Sequence, residues 1–159
     1  MGIDPGLVAT GYGLVGPATP RGLAVLSTGV ISTTRDLPLE ARVHEVYEGV
    51  VKVLDALTPG LIVLEDLYTE YRFPRTALMM AHARGVICLA ARQRAITLLA
   101  LSPSEVKRAV AGHGSASKEQ VQHSVQRLLQ LDALPRPSHV ADALALAFTG
   151  YSRAGGRLQ

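Results

Sequence analysis

Residues 60–67 read Gly-Leu-Ile-Val-Leu-Glu-Asp-Leu, an unbroken apolar run that ends in two carboxylates. Such a run suits a strand that is covered on both faces, because a strand open to water on one side would alternate apolar and polar residues. Catalytic side chains often lie where strands of this kind end. We therefore expect a buried strand here, and Glu65 becomes a candidate site residue.

The segments on either side alternate between strand and helix patterns. Residues 2–4, 11–16, 23–31 and 96–101 predict further strands, and a turn at residues 17–22 joins the second of these to the third. Apolar side chains recur every three or four residues from Leu39 to Leu57, which predicts a helix that Pro59 and Gly60 end. Together these patterns predict an α/β fold, in which a mixed five-stranded sheet is flanked by helices.

Further helices follow towards the C-terminus. Residues 76–94 predict an apolar helix, Ser102 and Pro103 are expected to begin a second, and Ser117 with Gln120 forms a capping-box pattern before a third. A last helix is expected from about residue 138 to 151, with His139 and Asp142 facing away from its packed stripe. The members of that stripe are Val140, Leu144, Ala147, Phe148 and Tyr151.

Composition limits the class of protein. The 159 residues, 48% of them hydrophobic and 18% charged, fit one globular domain over residues 1–159. No apolar run is long enough to span a bilayer and the start lacks a signal-peptide pattern, so we expect a cytoplasmic protein. Cys88 is the single cysteine and lies in an apolar run, which predicts a buried small hydrophobe. The net charge of +3 and thirteen arginines permit a polyanionic partner.

Four side chains are candidates for chemistry, although each has a simpler interpretation. Asp4 enters a Pro-Gly turn where a metal ion or phosphate could approach closely, but Asp-Pro-Gly is also typical of a plain turn. Glu65 in a buried strand needs a partner, which a metal ion or an arginine could supply. His139 and Asp142 are neighbours on one helix, a pattern that also suits a surface histidine and an aspartate near a helix N-terminus.

Taken together, the four candidates indicate a metal site. Two Mg²⁺ ions about 4 Å apart that hold a scissile phosphate need three or four ligands, rich in oxygen, from different elements. Asp4, Glu65, His139 and Asp142 supply such a set.

Short motifs then connect the chain to a known family. They are Gly-Ile-Asp-Pro-Gly at 2–6 with Thr-Gly-Tyr-Gly at 10–13, Leu-Glu-Asp-Leu-Tyr at 64–68, Ala-Arg-Gly-Val at 83–86, Pro-Ser-Glu-Val-Lys at 103–107, Ala-Ser-Lys-Glu-Gln-Val at 116–121 and Ala-Asp-Ala-Leu-Ala at 141–145. In order and spacing they resemble the RuvC family of Holliday junction resolvases, and the resemblance covers nearly the whole chain.

The resemblance implies an RNase H-like homodimer that nicks two opposed strands of a four-way DNA junction with Mg²⁺ or Mn²⁺, two ions per active site. It also implies the RuvA and RuvB branch-migration proteins as partners. The catalytic and metal-binding set maps onto Asp4, Glu65, His139 and Asp142. The residues expected to contact DNA are Tyr68, Arg72, Arg75, Lys107 and Lys118.

One departure from the family pattern bears on the chemistry. His139 stands where many members have a carboxylate, and imidazole suits Mn²⁺ better than Mg²⁺. The sequence leaves open whether His139 is a ligand or moves a proton, since its unperturbed pKa lies close to neutral pH.

Two other functions compete with the nuclease. Asp-x-Gly followed by Thr-Gly-Tyr-Gly also resembles the first phosphate loop of actin-like ATPases and sugar kinases, but 159 residues leave no room for their second lobe. A junction-binding protein without catalysis would lack one or more ligands, whereas all four candidates are present.

Overall fold

The computed structural model describes residues 1–19, 22–66 and 74–155. In these ranges, five strands form one mixed sheet in the order β3-β2-β1-β4-β5. The strands are β1 (Gly2–Asp4), β2 (Ala9–Thr19), β3 (Gly22–Ser32), β4 (Leu61–Glu65) and β5 (Thr97–Leu101). Strand β1 pairs antiparallel with β2 and parallel with β4, so it joins the β2–β3 hairpin to the parallel half of the sheet. The predicted mixed sheet of five strands is confirmed.

Helices cover both faces of the sheet. On one face lie α1 (Leu39–Leu57) and α2 (Pro74–Gln93), whose Val46, Val50 and Ile87 are buried with Ile3 and Leu64 of the sheet. The other face carries α3 (Pro103–Ala111), α4 (Lys118–Leu128) and α5 (Ser138–Arg153), which enclose the second core. None of the helices in the described ranges is long and apolar enough to cross a membrane.

The alternation of side chains along β1 and β4 decides which face receives the acidic residues. Ile3 and Leu64 are opposite each other in the parallel ladder and belong to the α1–α2 core. Because successive side chains of a strand point to opposite faces, the next residues, Asp4 and Glu65, are directed towards the α5 side. Both strands therefore end with a carboxylate on the same face.

Glycines allow α5 to lie directly on the sheet. A Cβ at Gly2 would collide with the carbonyl oxygen of Ala143, and a Cβ at Gly11 would collide with the carbonyl oxygen of His139. Only glycine permits so close an approach of the two backbones. This contact brings the first turns of α5 beside the end of β1.

The expected one-sided burial of α5 is wrong. The helix is buried on nearly all sides from Val140 to Gly150, with Asp142 and Phe148 as partly exposed exceptions. The reason is its position between the sheet and helices α3 and α4, where its many alanines leave room for neighbours on every side. Phe148 and Tyr151, which the stripe included, are only partly buried.

Several boundaries also differ from the predictions. The hairpin strands continue to Thr19 and from Gly22, beyond the expected turn at 17–22, because register shifts carry the ladder past Pro17, which has no N–H to donate. Strand β4 ends at Glu65 and not at residue 67. The burial of α1 centres on Val46, Val50 and Leu54, whereas Leu39, where the expected apolar pattern begins, is exposed. Cys88 is half-buried, at the margin of the α1–α2 core.

Both predicted helix starts are confirmed. The Ser117 hydroxyl accepts from the N–H of Gln120, and the Gln120 side chain accepts from the N–H of Ser117. Ser102 begins α3 with Pro103 after it, and it forms a second capping box with Glu105. These caps fix where α3 and α4, which carry Lys107 and Lys118, begin.

Candidate active site

A tight loop holds the chain directly after Asp4. The buried hydroxyl of Thr10 donates to the carbonyl of Gly6 at 2.8 Å and accepts from the N–H of Gly6 at 3.3 Å. The loop then returns into β2, which is antiparallel to β1. Asp4 is thus fixed at the C-terminal end of its strand, beside the C-terminal end of β4.

Helix α5 contributes the other two predicted side chains. His139 Nδ1 lies 2.7 Å from Asp4 Oδ2 and donates to it when Asp4 is ionised. Asp142, one turn further along, has its Oδ2 3.0 Å from Lys118 Nζ at the start of α4. The four predicted residues are therefore brought together from three elements, β1, β4 and α5.

All four line one open cavity of about 780 Å³. Its lining combines charged side chains with apolar side chains of the loop after β1, helix α2 and helices α3 to α5. The lining includes Leu7, Val8, Arg42, Met79, Met80, Val106, Lys107, Lys118 and Val121. A cavity lined by carboxylates together with lysines suits a phosphodiester chain better than a small apolar ligand.

Electrostatics mark the carboxylates as a mutually repelling group. Burial, reinforced by the charges of Asp4 and Asp142, raises the pKa of Glu65 to about 7. Burial also raises the pKa of Asp4, against the opposing effect of its hydrogen bond to His139. Ionised carboxylates at these positions are costly without a compensating cation, and a divalent ion is the strongest compensation available.

The donor set fits a divalent metal ion, although the side chains are paired with one another in this structure. In the ranges described, no three His, Cys, Asp or Glu side chains are grouped so as to hold an ion as they stand. Asp4 is engaged by His139 and Asp142 by Lys118. Oxygen donors from separate elements, with one imidazole, nevertheless match what Mg²⁺ or Mn²⁺ requires.

Of the five residues predicted to contact DNA, the structure describes the side chains of two. Lys107 and Lys118 both line the cavity, and Lys118 lies inside the acidic group as the ion-pair partner of Asp142. Tyr68 and Arg72 lie outside the described residues, and of Arg75 only the backbone, in the first turn of α2, is described.

Two arginines near the site were missed by the sequence interpretation. Arg42 donates to the carbonyl of Leu7, and Arg84 donates to the carbonyl of Glu65 itself. Arg84 lies in one of the motifs quoted above, which was a usable signal. Arg42 had none, because its position on α1 looks like ordinary charged surface and its main acceptor is a backbone oxygen.

Comparison with known proteins gives a consistent result. The family model described as crossover junction endodeoxyribonuclease RuvC matches residues 1–150. The chain is 40% identical to the RuvC of Rhodopirellula baltica, over 95% of this chain and 84% of that protein. It is 41% identical to the RuvC of Thermomicrobium roseum, over 97% of this chain and 94% of that protein.

Structural comparison agrees with the sequence comparison. The Thermus thermophilus RuvC solved in complex with a Holliday junction substrate superposes with a TM-score of 0.87 at 36% identity, covering 98% of this chain and 94% of that one. The RNase H-like fold expected from the motifs is confirmed by this neighbour. With the family model spanning nearly its whole length and relatives near 40% identity, the chain belongs to the RuvC family of crossover junction endodeoxyribonucleases, which are metal-dependent nucleases.

Proposed function

We propose that Asp4, Glu65 and Asp142, together with His139, hold two Mg²⁺ or Mn²⁺ ions in this cavity. The observation that carries this proposal is the convergence of three carboxylates from β1, β4 and α5 on one cavity, where burial raises the pKa of Glu65 to about 7. When bound, such a pair of ions activates the attacking water and stabilises the leaving 3′ oxygen of a phosphodiester.

Each side chain has a part in this arrangement. Asp4 and Glu65, at adjacent strand ends, would hold the ions from the sheet, and Asp142 would hold them from α5. His139 serves as the fourth ligand in our assignment, since it lies three residues from Asp142 on one helix and already contacts Asp4. Lys118 would leave Asp142 when a metal ion takes its place as the counter-charge.

Basic and aromatic residues would hold the DNA. Lys107 and Lys118, which both line the cavity, are assigned to backbone phosphates flanking the scissile one. Tyr68, Arg72 and Arg75 are assigned to the junction centre, where an aromatic ring can stack on an unpaired base and arginines can clamp phosphates.

The proposed substrate is a four-way DNA junction, as in the complex of the T. thermophilus relative. Two copies of the chain, each a single nuclease domain over residues 1–159, would cut opposed strands symmetrically in DNA recombination and repair. An exposed apolar strip on α2 supports a homodimer, because Leu78 is 61% and Leu89 50% exposed. RuvA and RuvB are the proposed partners, and the cytoplasm is the proposed location.

The deciding experiment removes one metal-site charge at a time. Asp4→Asn, Glu65→Gln and Asp142→Asn should each abolish nicking of a synthetic junction in Mn²⁺ while junction affinity changes little, because each removes a ligand and no phosphate contact. Gel analysis of nicked strands measures the first and titration with labelled junction the second. Any variant that still turns over takes its residue out of the site.

The same preparation separates the remaining alternatives. A linear duplex and ATP are incubated beside the junction, each with and without Mn²⁺. Hydrolysis of ATP would favour the actin-like nucleotide-binding alternative, and tight junction binding without nicking would favour an inactive binder. We expect nicking of the junction alone.

A further inference from the structure

The helical layer formed by α1 and α2 contributes none of the proposed ligands, yet it contacts the backbone that carries two of them. Asp4 and Glu65 direct their side chains to the α5 face, opposite this layer. The contacts from this layer therefore go to peptide carbonyl groups near the strand ends and not to the carboxylates. Two arginines make them, one from each helix.

Arg42, in the first turn of α1, holds the loop that follows Asp4. Its Nη2 donates to the carbonyl of Leu7 at 3.1 Å, and its Nε donates to the hydroxyl of Thr33 at 3.2 Å. Thr33 in turn donates its hydroxyl to the same Leu7 carbonyl at 2.6 Å. The buried Leu7 oxygen thus has two donors, and Arg42 lines the cavity beside the loop.

Arg84, in the middle of α2, holds the end of β4 in the same way. Its Nε donates to the carbonyl of Glu65 at 3.2 Å, and its Nη2 lies 3.7 Å from Oδ1 of Asp66. The side chain is only 25% exposed, so its charge acts with less screening than on open surface. The contact is to the peptide unit of a proposed ligand, and a shift of that unit would turn the Glu65 carboxylate.

A mutually repelling carboxylate group needs such support. Asp4 and Glu65 follow directly on paired residues of two neighbouring strands, and two ionised carboxylates there repel one another, so the backbone around them must resist separation of the strand ends. Charged donors to carbonyls resist that separation more strongly than neutral donors would. They also hold the ligands close to metal-binding geometry, which improves affinity because less ordering remains to be done on binding.

We propose that Arg42 and Arg84 are positioning residues that preset Asp4 and Glu65 for the metal ions, by fixing the backbone after β1 and at the end of β4. This inference rests on the proposed ligand roles of Asp4 and Glu65. Neither arginine touches substrate or metal in it, and both act through peptide groups.

The test measures metal binding without DNA. Arg42→Gln and Arg84→Gln should each weaken Mn²⁺ binding by roughly ten- to a hundredfold, the usual effect of losing a partner that orients a ligand. Binding of Mn²⁺ alone is followed by electron paramagnetic resonance or calorimetry. The nicking rate should fall together with Mn²⁺ affinity at low Mn²⁺ and recover in part at saturating Mn²⁺. Junction affinity and its salt dependence should not change.

A control arginine and two milder variants make the result interpretable. Arg94 donates two hydrogen bonds to Asp55 and so joins the chain after α2 to α1, away from the cavity. Arg94→Gln should therefore leave Mn²⁺ binding unchanged. Thr33→Val keeps both arginines and removes only the hydroxyl between Arg42 and Leu7, so a smaller loss in the same direction is expected. Arg84→Lys keeps the charge and is measured in place of Arg84→Gln if the Gln variant folds poorly. It should retain part of the Mn²⁺ affinity of the unsubstituted protein.

Three outcomes would decide against positioning. Unchanged Mn²⁺ affinity in folded Gln variants, while Asp4→Asn and Glu65→Gln lose it, would overturn the inference and leave the proposed function intact. Unchanged Mn²⁺ affinity in the Asp4 and Glu65 variants as well would overturn both the inference and the proposed function. A salt slope reduced by about one in Arg42→Gln would instead make Arg42 a phosphate contact.

Discussion

His139 combines two features that usually belong to different roles. Its Nδ1 contacts Asp4 at 2.7 Å, and it is three residues from Asp142, so it could complete a coordination shell or move a proton at the same place. We expect His139→Asp to retain nicking and to shift the metal preference from Mn²⁺ towards Mg²⁺, because a carboxylate is the harder donor. Nicking rates at matched concentrations of each ion, measured from pH 6 to pH 9, provide the test.

A proton carrier would respond differently to the same substitution. The rate would then fall equally with both ions, because the group that moves the proton has been exchanged whichever ion is bound. His139→Gln completes the comparison, since it keeps a hydrogen bond to Asp4 within reach without supplying either an acid–base group or a carboxylate. Equal loss with both ions in both variants would remove His139 from the ligand set.

The two cavity lysines differ in what surrounds them. Lys107 lines the cavity and is partly buried, whereas Lys118 is 59% exposed and 3.0 Å from Asp142. We expect Lys107→Ala and Lys118→Ala each to weaken junction binding and to reduce its salt dependence by about one counterion, because each would remove one of the proposed phosphate contacts. Fluorescence titrations between low and moderate salt measure the slope.

Lys52 is the matched control for these lysines. It is exposed on α1, away from the cavity, so Lys52→Ala should leave the slope as it is in the unsubstituted protein. A Lys118 variant with the unaltered slope would return that residue to a purely internal role, as the counter-charge of Asp142. The same result for Lys107 would make it ordinary surface.

At the scale of single elements, the order of strands and helices and the two helix caps were predictable, whereas several strand ends and the surroundings of α5 were not. A run of apolar residues that stops at a carboxylate, and two Ser-x-x-Gln or Ser-x-x-Glu caps, are local signals, and local backbone bonding follows them. The burial of α5 on nearly all sides depends on which elements pack against it, which periodicity in one helix does not report. Arg42 was missed for a similar reason, because its partners, Leu7 and Thr33, are distant in sequence.

Helix α2 presents the apolar strip on which the proposed homodimer depends. Leu78 and Leu89 are exposed at 61% and 50%, and burying two such leucines against a second copy removes apolar area from water. The double substitution Leu78→Glu with Leu89→Glu should therefore produce a monomer that no longer cuts opposed strands together. Light scattering after size exclusion gives the mass, and a cruciform plasmid distinguishes paired cuts from single nicks.

Leu26 supplies the control for that experiment. It is exposed at 58% on β3, at the opposite edge of the sheet order from β5, so Leu26→Glu should change neither mass nor pairing of cuts. A dimer that survives the α2 substitutions would place the interface elsewhere. A protein that is monomeric before substitution would remove the homodimer from the proposed function.

At the scale of the whole molecule, the ionised form of Glu65, which a metal ion would bind, is the form that burial disfavours in the folded protein. The pKa of Glu65 is raised from an ordinary 4.5 to about 7, chiefly by burial, so between these values the folded state holds a proton that the unfolded state releases. Stability from this group is complete below pH 4.5 and is lost as pH rises through 7. The contribution of Glu65 to the free energy of unfolding of the metal-free protein should therefore decrease on going from pH 5 to pH 8.

Comparison with Glu65→Gln isolates that contribution from other titrating groups. Glutamine keeps the shape of the protonated acid, so in chelator the variant should match the parent near pH 5 and exceed its free energy of unfolding at pH 8, by up to about 3 kcal/mol for a shift of this size. Mn²⁺ should reverse the order at pH 8, because it binds the ionised carboxylate of the parent and finds one ligand fewer in the variant. Urea unfolding at both pH values, with chelator or Mn²⁺, measures all four cases. A parent and a variant that lose stability in parallel from pH 5 to pH 8 would show that Glu65 is ionised without penalty, and the electrostatic case for a divalent ion at this site would fall with it.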